Sequence, residues 1–270
     1  MTLLGFGVYV AFLSRLHHDR VQLTAYADFR KDLAFGTAPT GQTKPTDLTQ
    51  LLDPGTPVAV LDIPKLHLKE VVFEGTTSGV LQKGPGHRRD TPLPGQAGVS
   101  VIMGKSTTYG GPFGSLSTLV PGDEFTVTTG QGQGVHHYKV LDVRHGGMPV
   151  PRPPAAGAGR LTLTTAYGGM FAPSDALRVD ADLTSEVNPA PLSVFKASQL
   201  HPAEQVMAID TGVWFPLVFV GEALVLAVGL LSAARVFWGR WQTWIVAVPV
   251  VGFFGIATAD QVARLLPNLI

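Results

Sequence analysis

The chain has 270 residues with 20 basic and 20 acidic side chains, so its formal net charge is zero, and we expect no nucleic-acid partner because such proteins carry clustered excess Lys and Arg. Charged residues make up 15% of the sequence, against roughly 25% in an ordinary soluble domain, which predicts that part of the chain lies outside water. There is no cysteine, which excludes disulfides, thiolate-ligated metal centres and a thiol nucleophile.

The N-terminal segment, residues 1–35, is predicted to be a membrane anchor that continues into an amphipathic helix. It carries no charge before Arg15, and the helix is expected over His17–Gly36. The apolar part is short for a membrane span, and it has neither the basic start nor the small-residue cleavage site of a secretory signal. An anchor helix therefore fits the segment best.

Residues 36–57 read as a linker rich in Pro, Gly and Thr, and residues 58–183 as a compact all-β domain. The strands are indicated by alternating apolar residues with β-branched enrichment and Gly or Pro between the runs. Short helices are expected at Ser78–Leu81 and Phe113–Leu119. Seven or eight strands in about 125 residues predict a closed barrel or a sandwich. The predicted strands are Val58–Ile63, Lys69–Glu74, Val99–Gly104, Glu124–Thr129, Val135–Val143, Arg160–Ala166 and Ala176–Leu183.

Residues 184–210 are predicted to be a tether, and residues 211–267 a pair of transmembrane helices. Between 211 and 259 the only charged residues are Glu222, Arg235 and Arg240. The runs Gly212–Ala234 and Trp241–Ala259 each approach the 20 or so residues that span a bilayer. Their short connection is basic and rich in Trp, which is typical of a cytoplasmic turn. Glu222 lies in the middle of the first span, where an acidic group is costly and indicates a polar contact with a partner.

A series of motifs within residues 58–183 resembles the sortase family, in particular the actinobacterial class E type. They are LDIPKLHLKEVVFEGTTSGVLQKGPGH, TPLPGQAG, VIMGKSTTYGGPFGSLSTLVPGDEFTV and RLTLTTA, in consecutive order. The resemblance implies an eight-stranded sortase β-barrel. It also implies transpeptidation, in which a Cys thiolate attacks a peptide carbonyl, a His protonates the leaving amine and an Arg stabilises the oxyanion.

The positions that the resemblance assigns to this chemistry differ from the family pattern at two of three places. The family His falls on Lys105, the family Cys on Ala166, and the family Arg on Arg178. Ala166 has no nucleophilic atom, and an ordinary lysine is protonated at neutral pH. The sequence therefore predicts that the chain is not an enzyme, and it predicts no cofactor and no metal.

We expect a catalytically degenerate, membrane-anchored sortase-like protein with its barrel on the outer face of a Gram-positive-type cell envelope. Its partners are expected to be the lipid bilayer and a surface or membrane protein or peptide, which the barrel binds or scaffolds. One alternative is an unconventional transpeptidase or hydrolase that uses Ser106, Thr165 or Lys105. Another is a membrane-complex subunit that acts mainly through the apolar hairpin and Glu222.

Overall fold

A computed structural model of the chain describes residues 14–130, 134–169, 172–191 and 194–270. The first element within the described residues is helix α1, Ser14–Phe35, which confirms the predicted N-terminal helix. Ala25 and Phe29, four residues apart, face the barrel and pack against apolar side chains that include Val60 and Phe73. Residues 1–13 of the predicted anchor lie outside the described residues.

The centre of the molecule is a closed eight-stranded β-barrel, as predicted. The barrel strands are β3 (Pro57–Ile63), β4 (Leu68–Glu74), β5 (Gly86–His87), β6 (Gly98–Met103), β7 (Glu124–Thr128), β8 (Val135–Arg144), β9 (Gly159–Gly168) and β10 (Pro173–Leu183). Around the barrel they follow the order β10-β8-β7-β3-β4-β5-β6-β9. The pairs β4–β5 and β6–β9 are parallel, and the other described pairs are antiparallel.

Alternation along the strands places one face of each in the barrel core. In β8, His136, Tyr138 and Val140 are buried, whereas His137 and Lys139 between them are exposed. The neighbouring histidines therefore point to opposite sides, as expected for a strand. The same period makes β9 bury Leu161 and Leu163 in the core, while their neighbours face outward.

Three local features differ from the sequence predictions. The linker contains a two-stranded hairpin, β1 (Thr43–Lys44) and β2 (Asp47–Leu51). The helix expected over Phe113–Leu119 is a single 3-10 turn at Leu116–Thr118, whereas α2, Ser78–Leu81, lies where it was predicted. Strand β5 was not predicted because two residues show no period.

Two long helices follow the barrel, α3 (Trp214–Phe237) and α4 (Arg240–Arg264). They pack against each other, and both are long and apolar enough to cross a membrane. Phe237 and Trp241 beside their connection are 85% and 84% exposed. Soluble proteins rarely leave such large continuous apolar surfaces in water.

The residues between barrel and helices are folded onto the barrel. Phe195, Leu200 and Ala203 are buried, with 3-10 turns at Ala197–Gln199 and Pro202–Glu204. The Gln42 side-chain oxygen accepts hydrogen bonds from the backbone N–H groups of Val194 and Phe195. The connection to the helices is therefore held close to the barrel wall.

Candidate functional site

Lys105 follows β6 and lies inside the molecule. Its side chain is completely buried, and its Nζ donates a hydrogen bond to the backbone oxygen of Ile270 at 3.0 Å. The Nζ also lies 5.7 Å from the centre of the Tyr109 ring. Burial disfavours the charged ammonium and lowers the pKa of Lys105 from 10.5 to about 7. At neutral pH a sizeable fraction of this amine is therefore uncharged, unlike that of an exposed lysine.

Ala166 lies near the end of β9, on the face that points away from the barrel core. Its register partner on β10 is Ala176. Both methyl groups contribute to an apolar cluster with Leu81, Met103 and Leu269. The position that the resemblance assigns to the family Cys is thus the wall of an apolar pocket.

Arg178 lies two residues beyond Ala176, so both are on the same face of β10. Its register partners are Thr164 on β9 and Arg144 on β8. The structure therefore places Ala166 and Arg178 on one face of adjacent strands. Lys105 follows β6, the other neighbour of β9, since Met103 pairs with Thr164.

The two hydroxyl residues weighed as alternative nucleophiles have different surroundings. The Thr165 hydroxyl is buried on the opposite face from Ala166 and donates a hydrogen bond to the Gly104 carbonyl at 2.9 Å. Ser106 is half-buried, with its Oγ 3.2 Å from the Thr107 hydroxyl. Ser106 is therefore the more available of the two hydroxyls.

An open groove of about 490 Å³ runs beside these residues. Its walls combine hydroxyl groups with apolar surface. The hydroxyl groups can hydrogen-bond the backbone of an extended peptide, and the apolar surface can contact its side chains. Residues along it include Ser106, Thr107, Ser117, Ala166 and Tyr167.

The segment after α4, residues 265–270, enters the same site, which the sequence did not reveal. Leu269 and Ile270 are completely buried. The Ser106 N–H donates to the Leu269 carbonyl at 2.8 Å, and the Thr108 hydroxyl donates to the Ile270 oxygen that Lys105 also contacts. Six residues after an apolar helix carry no recognisable pattern, so only the fold could show this contact.

Glu222 lies far from this cluster in the fold, within α3. The structure leaves its side chain exposed on the surface of the apolar helix. Its predicted contact with a partner remains a prediction.

Comparison with known proteins identifies the barrel. A family model described as Sortase domain matches residues 61–181, and no curated protein matches the chain. Sortase E from Streptomyces avermitilis is 34% identical over 50% of this chain and 91% of that chain, with a TM-score of 0.42. A Clostridium perfringens sortase D5 transpeptidase is 20% identical over 62% of this chain and 99% of that chain, with a TM-score of 0.49. Sortase C-1 from Actinomyces oris is 28% identical over 48% of this chain and 75% of that chain, with a TM-score of 0.41.

The family match contradicts the prediction that the chain is not an enzyme, because sortases are transpeptidases. That prediction depended on Lys105, on Ala166 and on the absence of cysteine, and it treated Lys105 as an ordinary lysine, whereas burial lowers the pKa of this one. The Sortase domain extends from β3 to β10, and the chain belongs to the sortase family.

Proposed function

We propose that the barrel binds an extended segment of a surface or membrane protein in the cleft beside Lys105, Ala166 and Arg178. The observation that carries the proposal is the open groove along Ala166, whose hydroxyl-lined and apolar walls suit a peptide backbone. Arg178 on the same face offers a guanidinium to a carbonyl or carboxylate of the bound segment. A groove beside the positions that the family uses for peptide chemistry supports a peptide as the ligand.

We further propose that α3 and α4 cross a cell membrane and hold the barrel on its outer face. Their connection carries Arg235 and Arg240 with Trp238 and Trp241, and basic residues with interfacial aromatics favour the cytoplasmic side. The opposite ends of both helices lie at the barrel, since α3 follows the buried Val213 and α4 ends beside Tyr109. This topology supports a multi-pass protein with an external barrel, to which an N-terminal anchor would add a further span.

Lys105 supports a second candidate function, acyl transfer without a thiol. The chain has no cysteine, so a hydroxyl must attack the peptide carbonyl, and Ser106 is the half-buried hydroxyl next to the groove. With a pKa of about 7, the Lys105 amine can accept the hydroxyl proton and return it to the leaving amine, leaving an acyl ester for an incoming amine. To do so, the Lys105 Nζ must first release the Ile270 oxygen and come within hydrogen-bonding distance of the Ser106 Oγ, which contacts Thr107 in the structure.

Glu222 supports a third role, as a contact between α3 and another membrane protein. An exposed carboxyl within an apolar helix is costly in lipid unless it finds a hydrogen-bonding partner. This role would make the hairpin a binding surface in addition to an anchor.

Peptide binding is tested on the full chain in lipid nanodiscs with a library of fluorescently labelled hexapeptides. The variant Ala166→Trp fills the groove wall and is expected to weaken the bound peptides at least about tenfold, or about 1.4 kcal/mol. Val135→Trp, at an exposed position of β8, serves as the matched control and should bind like the wild type. Equal binding to all three proteins would show that the ligand does not use this cleft.

Acyl transfer is tested separately by mass spectrometry of the same peptides incubated with an amine acceptor. If Ser106 is the nucleophile, Ser106→Ala abolishes product formation and Ser115→Ala, at an exposed serine outside the groove lining, retains it. Product that persists in Ser106→Ala would contradict the hydroxyl mechanism without affecting the binding proposal.

A further inference from the structure

The 265–270 segment is bound in the cleft by the kinds of contact that bind a peptide ligand. Leu269 fills the apolar pocket lined by Leu81, Met103, Ala166 and Ala176. One backbone oxygen, that of Ile270, accepts hydrogen bonds from both Lys105 and Thr108. An apolar anchor with polar backbone contacts beside it is the usual design of a peptide site.

Asn268 adds a third, directional contact. Its side-chain amide donates to the carbonyls of Thr76 at 3.0 Å and Gln205 at 2.8 Å, and its backbone N–H donates to Ala208 at 2.9 Å. The Asn268 Oδ1 is buried and has no hydrogen-bond partner among the described residues.

The barrel itself closes without the segment. All eight strands find both neighbours within the barrel, and the main core cluster contains none of residues 265–270. The segment therefore occupies a completed fold, which distinguishes it from a structural strand.

We infer that residues 265–270 are a resident ligand of the cleft, and that a partner segment binds by displacing them and repeating their contacts. This inference rests on the proposed peptide-binding function and gives it a ligand class. The class is a short extended peptide with a Leu-like side chain for the apolar pocket, a carboxamide before it and a backbone oxygen for Lys105 and Thr108.

Displacement of residues 265–270 also affects α4, because this segment follows the helix directly. The outer end of α4 is held to the barrel by Tyr109, whose hydroxyl donates to Asp260 at 2.8 Å and whose ring packs on Ala259 and Ala263. Tyr109 adopts a left-handed backbone conformation, with φ of 52°, which is uncommon for a residue other than glycine. Release of the segment removes one attachment of α4 to the barrel.

The test uses the absence of cysteine, since a single introduced thiol is then the only one in the protein. Thr108→Cys places that thiol at a completely buried position against Ile270. Its rate of maleimide labelling is measured in nanodiscs in the full chain, in a variant lacking residues 265–270, and in the full-length variant Leu269→Ser. We expect both changes to raise the labelling rate at least about tenfold, because each opens the cleft. Ser115→Cys, which is exposed and does not line the groove, should label at one rate in all three backgrounds.

The second measurement adds the synthetic peptide Leu-Leu-Pro-Asn-Leu-Ile to the shortened Thr108→Cys variant. Protection by this peptide, and not by a scrambled one, supports a ligand role. Unchanged labelling after removal of residues 265–270 would overturn the inference, and so would faster labelling that the peptide cannot suppress. The proposed function fails by a different result, the equal binding of library peptides to Ala166→Trp and the wild type.

Discussion

Replacing the buried lysine with methionine should remove a pH dependence of folding stability. Lys105→Met keeps the length and most of the volume of the side chain while deleting the titrating amine. Lys105 titrates at a pKa of about 7 in the folded protein and at about 10.5 when unfolded. The unfolded chain therefore binds this proton more tightly, so the free energy of unfolding is lowest at acidic pH and rises as the pH increases from 7 towards 10.5.

The size of the effect follows from those two values. Each pKa unit corresponds to about 1.36 kcal/mol, and half of the amines are already neutral at the folded pKa. Raising the pH from 7 to 9 should stabilise the wild-type protein by about 2 kcal/mol through Lys105 alone. Lys105→Met should lack this gain. The free energy of unfolding of the variant minus that of the wild type should therefore be about 2 kcal/mol greater at pH 7 than at pH 9.

The assay is urea unfolding of the full chain in detergent micelles, followed by far-ultraviolet circular dichroism at both pH values. Lys139→Met is the matched control, because Lys139 is exposed on β8 and should leave the pH dependence unchanged. If Lys105→Met and the wild type gain the same stability between pH 7 and 9, Lys105 is not desolvated and its assignment as a neutral amine is wrong.

Three further changes test other contacts. Burial alone would lower the pKa of His18, but the hydrogen bond and charge of Glu70 raise this pKa overall. The His18–Glu70 pair therefore stabilises the folded protein below pH 6.5, and this stabilisation is lost as the pH rises through the folded pKa. Glu70→Gln should reduce the free energy of unfolding in urea more at pH 6 than at pH 8, and a larger reduction at pH 8 would refute this reasoning. Tyr109→Phe removes the hydrogen bond to Asp260 and should lower the free energy of unfolding in urea by about 1 kcal/mol. An unchanged free energy of unfolding would show that this bond is not formed. Glu222→Leu should retain membrane insertion and a folded barrel but reduce recovery of a co-purifying membrane protein from detergent, and an unchanged set of partners would leave the hairpin as an anchor only.

Much of the barrel could be predicted because each long strand carries its own period. In β8 the alternation of buried Tyr138 and Val140 with exposed Lys139 is visible in the residue types, and the predicted bounds of the strand differ from the structure by one residue. Strand β5 has only two residues, so its place depends on pairing with β4 and β6. The hairpin β1–β2 was hidden in a linker of turn-forming residues with no apolar alternation.

The motifs assign a candidate site to Lys105 and Ala166, but the surroundings of these residues could not be predicted from the sequence. The structure places the two on neighbouring elements, and the buried Lys105 amine contacts Ile270, 165 positions away. The prediction of an inactive protein was wrong because the barrel belongs to a family of transpeptidases. Contacts between distant parts of a chain leave no local pattern.

The short distance between α4 and Leu269 limits where a partner can approach. Leu269 is five positions beyond Arg264, and a fully extended chain of five residue steps spans no more than about 18 Å. With α4 in a bilayer as proposed, the apolar pocket lies within that height of the lipid headgroups. A segment far from the membrane in its own protein cannot reach the pocket, whereas a sequence just outside a transmembrane helix is delivered to it by its own anchor. Confinement to the same membrane raises the local concentration of such a sequence. A pocket of low affinity can therefore bind segments of neighbouring membrane proteins while it leaves dilute peptides in solution unbound.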